Sequence, residues 1–153
     1  MNMSIIRQAD KNDAAVVTEL VIKLLTELNG KPYEGDSAAM TAAAAELIVS
    51  GRCVSFILES DQKPVGILNI SIAHAIRNCG EYGILEELYI EPDYRSRGFG
   101  KELLDCAKEL ARQNHWPRLE VGAPSLEHWR RTFAFYRNNG FEEIGPRLKF
   151  ILK

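Results

Sequence analysis

Three β-rich runs, separated only by turn residues, constrain this chain more than any other feature. Cys53 to Ser60 (CVSFILES) is followed by Asp61-Gln62-Lys63-Pro64, and Val65 to Ile76 by Asn78-Cys79-Gly80; Glu81 to Ile90 (EYGILEELYI) comes next. Runs rich in β-branched and aromatic residues, joined by links too short to hold a crossover helix, pair with their sequence neighbours. An antiparallel meander is therefore expected. Pro92 ends the third run, because proline donates no ladder hydrogen bond.

The flanking segments read as helices and further strands. Met3 to Ala9 is a short apolar run that predicts a strand, and Asp10 stands where a helix N-cap helps. From Asn12 to Leu28, Val16, Val17, Leu20, Val21, Leu24, Leu25 and Leu28 recur at three- and four-residue steps, one face of an amphipathic helix that Asn29-Gly30 stops. Ser37 is placed to cap a second, alanine-rich helix ending at Ser50-Gly51. Leu103, Leu104, Ala107, Leu110 and Ala111 predict a third helix from Gly98 to about Asn114, and Arg118 to Gly122 a strand. Leu126 to Asn139 fits a fourth helix with Trp129, Phe133 and Tyr136 on one side, and Gly140 can take the left-handed position after it. Phe141 to Ile144 and Arg147 to Leu152 predict two short closing strands around Gly145-Pro146. The order βααβββαβαββ, without linker or repeat, predicts one α+β domain over residues 1–153, a mixed and mostly antiparallel sheet flanked by helices.

Charge and cysteine usage exclude several functions. Nineteen Lys and Arg against 21 Asp and Glu give a formal charge of -2, so there is no bulk basic field to bind nucleic acid. No window approaches the roughly 20 apolar residues of a membrane span, and MNMSIIRQAD lacks a signal core, so no membrane partner and a cytoplasmic location are expected. Cys53, Cys79 and Cys106 are odd in number and form no CxxC pair, and His74, His115 and His128 are dispersed. Free thiols and no metal site are the expectation. None of the cysteines has a partner histidine at a readable spacing for covalent catalysis.

The most informative segment for chemistry is Tyr94-Arg95-Ser96-Arg97-Gly98-Phe99-Gly100-Lys101, between a strand end and a helix start. Glycines allow close backbone approach, first-turn N–H groups lack intrahelical acceptors, and the helix dipole favours an anion. A pyrophosphate suits such a place, with Arg95, Arg97 and Lys101 adding charge. The spacing is neither a P-loop nor a dinucleotide fingerprint.

This loop, the strand before it and the later Phe135-Tyr136-Arg137-Asn138-Asn139-Gly140-Phe141 together resemble the Gcn5-related N-acetyltransferase (GNAT) superfamily over about residues 81 to 144. The resemblance implies that Arg95, Ser96, Arg97, Gly98, Phe99, Gly100 and Lys101 hold the pyrophosphate of acetyl-CoA, mostly through backbone amides. It also implies a β-bulge in the fourth strand, which splays from the fifth so that the main chain of Leu88, Tyr89 and Ile90 pairs with the pantetheine arm. Glu86 and Glu87 just upstream are candidate general bases; period-two alternation alone would send one of them to solvent, whereas a bulge changes the facing by one residue. The resemblance favours Glu86, and both remain candidates. Tyr136 is either a core aromatic or, as the resemblance implies, the acid that protonates the departing thiolate. Many relatives carry Asn and Ala where this chain has Trp129 and Thr132, so a side-chain contact to the cofactor is lost or replaced here.

The expected activity is acetyl transfer from acetyl-CoA to a small-molecule primary amine by direct attack. A protein lysine or N-terminus as acceptor, and a non-catalytic acyl-CoA-binding module, are the alternatives. Glu27, Tyr33, Glu34 and Asp36 are candidates to attract a cationic amine. Oligomeric state stays open, with a homodimer as one outcome.

Overall fold

The meander forms where its turns dictate. The computed structural model describes residues 3–123, 127 and 129–153. Strands β1 (Ser4–Gln8), β2 (Cys53–Ser60), β3 (Lys63–Ala75) and β4 (Gly80–Ile90) lie side by side in that order, each antiparallel to the next. Asp61 and Gln62, with φ 49° and 67°, make the tight β2–β3 turn in the left-handed region that matches strand twist. Helix α3 (Phe99–Gln113) crosses over from β4, so β5 (Leu119–Val121) joins the β4 edge in parallel.

Each sheet face carries one apolar core. Helices α1 (Ala14–Asn29) and α2 (Ser37–Val49) cover one face, where Val17, Leu20 and Val21 meet Ile57, Ile67 and Tyr89. On the other, α3 and α4 (Arg130–Asn138) bring Leu103, Leu104, Ala107 and Tyr136 onto Leu58, Leu68, Ile70 and Leu85. Asp36, not the expected Ser37, caps α2: its carboxylate accepts from the Ala39 N–H at 2.9 Å. The expected start of the fourth helix at Leu126, and His128, lie outside the described residues; Trp129 is not helical and α4 begins at Arg130.

The fold class is the one the residue pattern implies, but the two closing segments do not pair. Phe141 packs on the α3–α4 core, and every residue from Glu142 onward is exposed coil. Gly145, at φ 123°, and Pro146 interrupt the run, and the available partner, β5, is only three residues long. Phe141 to Ile144 and Arg147 to Leu152 therefore have strand-like sequence without strand partners in a single chain.

The N-terminal strand is pinned by charge. The Arg7 guanidinium donates to both Asp13 carboxylate oxygens at 2.8 Å and to Glu59 at 2.9 Å, joining β1, β2 and the turn before α1. The hydrogen bonds from Arg7 hold the buried Asp13 carboxyl below its usual range. Its stabilisation is complete above about pH 4, where the unfolded carboxyl has ionised, and is lost as pH falls through the lower folded value. Asp13→Asn should lower unfolding free energy by about 1–3 kcal/mol at neutral pH and reduce the further loss on acidification, measured by urea titration. An acid profile like that of the parent would contradict this.

Candidate active site

The decisive local feature is one extra residue in β4. Asn69 stands opposite Glu87 while the next residue of β3, Ile70, stands opposite Leu85, which leaves Glu86 as a bulge. Leu85 and Leu88 consequently face the same α3–α4 core although they are three apart, and Tyr89 faces α1. Both glutamates then fall on the α1–α2 face, where strict alternation would have separated them.

β3 holds each carboxylate with one side chain. The Ser71 hydroxyl donates to Glu86 at 2.6 Å, and the Asn69 amide to Glu87 at 3.1 Å. Across the next strand, Cys53 lies opposite Ser71 and Ser55 opposite Asn69, so two short polar rows cross three strands. Ser55 and Asn69 are almost wholly buried, and the Asn69 Oδ1 has no hydrogen-bond partner. Glu86 is exposed, whereas burial pushes the half-buried Glu87 carboxyl up, opposed by the Asn69 hydrogen bond and reinforced by the charge of Glu86. Burial likewise raises the Cys53 thiol, so it stays protonated near neutrality and is a poor nucleophile. Asn69, Ser71 and Ser55 were not singled out from sequence, and Cys53 only as a free thiol without a histidine partner; the signal was polar residues at two-residue spacing inside otherwise apolar strands.

At the end of β4 the chain turns into a concave array of N–H groups. Ser96 and Gly98 are left-handed, with φ 60° and 85°, and Gly98 precedes the first helical residue, Phe99. The first α3 bond runs from Glu102 N–H to the Gly98 carbonyl, so the amides of Phe99, Gly100 and Lys101 have no intrahelical acceptor. Such a nest at a helix N-terminus binds anions. The two glycines differ in purpose. Open space surrounds Gly98, whereas a Cβ on Gly100 would lie 3.0 Å from Phe135, so Gly100 lets α3 seat against α4.

The side chains of this loop are less available than its backbone. Arg95 donates to both Glu27 oxygens, at 2.8 and 2.6 Å, and to the Ile90 carbonyl at 2.8 Å. Arg97 donates to the Asp93 carbonyl and lies over the Tyr94 ring; Lys101 pairs with Asp105. Glu27 is thus engaged by Arg95 and Asp36 by its cap, leaving Glu34 and Tyr33 of the expected amine-attracting residues without those ties.

β4 and β5 pair only through Gly83–Leu85 and Leu119–Val121, so among the described residues β4 has no strand partner on that side from Glu86 to Ile90. Leu88 and Ile90 pack toward α3, and Tyr89 is buried toward α1. An extended chain with alternating polar groups fits such an edge. Tyr136 lies on the opposite face from the glutamates, buried, with Phe135 and Phe141 edge-on at 5.3 and 5.6 Å. It lines a cavity of about 1110 Å³ between β5, α3, α4 and residues 139–147, and burial pushes its phenol up to about 12.

The acetyltransferase (GNAT) domain matches residues 51–143, and the chain belongs to that family of acetyltransferases. It is 26% identical over 141 residues to the uncharacterized N-acetyltransferase YhfO of Bacillus subtilis (strain 168), covering 90% of this chain and 89% of that protein. Its fold is similar to a predicted acetyltransferase from Clostridium acetobutylicum solved with acetyl-CoA, with TM-score 0.84 at 19% identity and coverage of 97% and 96%. Aminoglycoside N-acetyltransferase AAC(6')-Iy, solved with CoA, superposes with TM-score 0.81 at 22% identity, over 100% of this chain and 96% of that one.

The carboxylate pair has a direct signature. Carbon-detected NMR titration should place Glu87 above the usual carboxylate range. Glu86→Gln should move that midpoint down by removing a like charge, and Asn69→Ala should move it up by removing the donor. A Glu87 midpoint unmoved by both changes would contradict the described coupling.

Proposed function

We propose that the protein transfers the acetyl group of acetyl-CoA to a primary amine of a small molecule by direct attack. The observation that carries this reading is the β4 bulge, which sets two adjacent carboxylates on one face where β4 parts from β5. The amide nest at Arg97 to Lys101 suits a pyrophosphate, and the unpaired β4 edge at Leu88 to Ile90 suits the pantetheine arm. A protein of similar fold is an aminoglycoside N-acetyltransferase, which supports a small-molecule acceptor.

In this reading Glu86, the exposed member at the bulge, takes the proton of the bound ammonium, and Glu87 behind it adds a second negative charge that favours binding of the cation. The freed nitrogen attacks the thioester carbonyl. A backbone N–H near Leu88 receives the developing oxyanion, the attacking nitrogen gives up its second proton to solvent water, and the C–S bond then breaks to give amide and thiolate. Tyr136, kept neutral by burial, donates a hydrogen bond to the leaving sulfur. A thiol ionises near 8.5, well below this phenol, so the sulfur departs readily and Tyr136 contributes toward the lower end of general-acid effects.

Acetyl-CoA-dependent thiol release across polyamines, amino sugars and lysine peptides tests the acceptor class. Turnover on small cationic amines is expected; turnover confined to peptides, or CoA binding with no turnover on any amine, would overturn the reading. Glu86→Gln should lower kcat/KM most at low pH, with the deficit shrinking toward the amine's own pKa, while Glu87→Gln should act mainly through a raised KM. Parent-like profiles for both variants would remove the carboxylates from the mechanism. Tyr136→Phe should lower kcat by roughly 100-fold with little change in thermal stability, and unchanged kcat with chemistry rate-limiting would leave Tyr136 a packing residue.

A further inference from the structure

Residues 95–98 are exposed, so packing fixes little of the loop that carries the amide nest. Its backbone is nevertheless held in a demanding shape: Ser96, which has a Cβ, sits at φ 60°, and Gly98 follows at φ 85°. Contacts from another element have to supply what packing does not.

Helix α1 supplies them from a stripe of charges at four-residue steps, Glu19, Lys23 and Glu27. Lys23 lies between Glu19 and Glu91, and Glu27 accepts from both terminal nitrogens of Arg95, at 2.8 and 2.6 Å. The guanidinium, held in that plane, donates through Nε to the Ile90 carbonyl at 2.8 Å and lies over the Tyr89 ring, 5.6 Å from its centroid. The Glu91 N–H donates to Val65 on β3, so strand alternation turns the Ile90 carbonyl to the opposite, unpaired side of β4. Three hydrogen bonds on one planar group thus fix the side chain of the residue directly before Ser96.

Glu27 also breaks a local rule. It stands in the last turn of α1, where the helix dipole disfavours a carboxylate, and that turn holds no basic residue. Its side chain is exposed, and its hydrogen bonds run to Arg95. Helix stability does not account for an acid at this position, whereas the loop across from it does.

We propose that Glu27 is a positioning residue for the cofactor: by clamping Arg95 it holds the Ser96–Gly98 turn in the shape that aims the amides of Phe99, Gly100 and Lys101 at the pyrophosphate of CoA. Glu27 then belongs to the cofactor side, and not to the amine-attracting group in which its charge alone would place it. The role rests on the nest being the CoA site, and the experiment separates the two.

Titration calorimetry with CoA is carried out on the full chain. Glu27→Ala should weaken binding about three- to tenfold, the scale of leaving one long side chain to be ordered by the ligand. Glu27→Gln keeps one acceptor oxygen for Arg95 and should lose less; it carries the test if the alanine variant does not show parent-like far-ultraviolet dichroism. In an Arg95→Met background, Glu27→Ala should cause no further loss, since its action passes through that guanidinium. In steady state the loss should appear in the KM for acetyl-CoA. Unchanged or tighter CoA binding in the folded Glu27 variants would overturn the proposal, as would an undiminished further loss in the Arg95→Met background. A rise confined to the KM for the amine would return Glu27 to the acceptor side and equally overturn it. A parent protein that does not bind CoA would overturn the reading of the nest itself, and the positioning role with it.

Discussion

The site depends on one residue too many in β4. Without Glu86 as a bulge, the period of the strand would put Leu88 on the α1 face and one glutamate in the α3 core, where an unpaired carboxylate is prohibitively costly. With it, Leu85 and Leu88 both stay in the core and the two acids share a face. The same irregularity lies where β4 loses β5 as a partner, so the carboxylates and the free main-chain edge begin at one point. Packing on one face thereby sets chemistry on the other.

A second set of contacts holds the nest in place. Arg95 bridges the Ile90 carbonyl and Glu27, while Lys23 pairs with Glu91, which also accepts from the Tyr89 hydroxyl at 3.3 Å. Helix α1 is thus tied to the end of β4 at two points. Arg95 is accordingly engaged in holding the loop, and the backbone amides of Phe99, Gly100 and Lys101 are the groups of that loop left without an intrahelical acceptor. Gly100 extends the tie to α4, because a Cβ there would crowd the Phe135 ring at 3.0 Å.

Local chemistry was legible in the sequence and non-local pairing was not. The β2–β3 turn, the α1 stripe and the helix start after Gly98 follow from residues within a few positions of one another, and they form as expected. The bulge had a faint signature in Leu85-Glu86-Glu87-Leu88, where core positions fall three apart instead of two. The Arg95–Glu27 tie spans 68 residues and has no pattern to announce it. The segments at Phe141 to Ile144 and Arg147 to Leu152 have strand composition, yet composition does not say which edge, or whose, a strand will join. Asn69 and Ser71 could have been found as polar residues two apart in an apolar strand, facing the same side as the acids.

The central claim is that the amides after β4 bind the pyrophosphate of acetyl-CoA, which titration calorimetry with CoA measures directly. Gly98 stands in open space at φ 85°, so Gly98→Asp leaves the core untouched while straining the nest and adding a negative charge to it. The account predicts measurable binding to the parent protein and a fall of roughly tenfold or more in the folded variant, at least about 1.4 kcal/mol. No binding to the parent, or equal affinity in the two proteins, would contradict it.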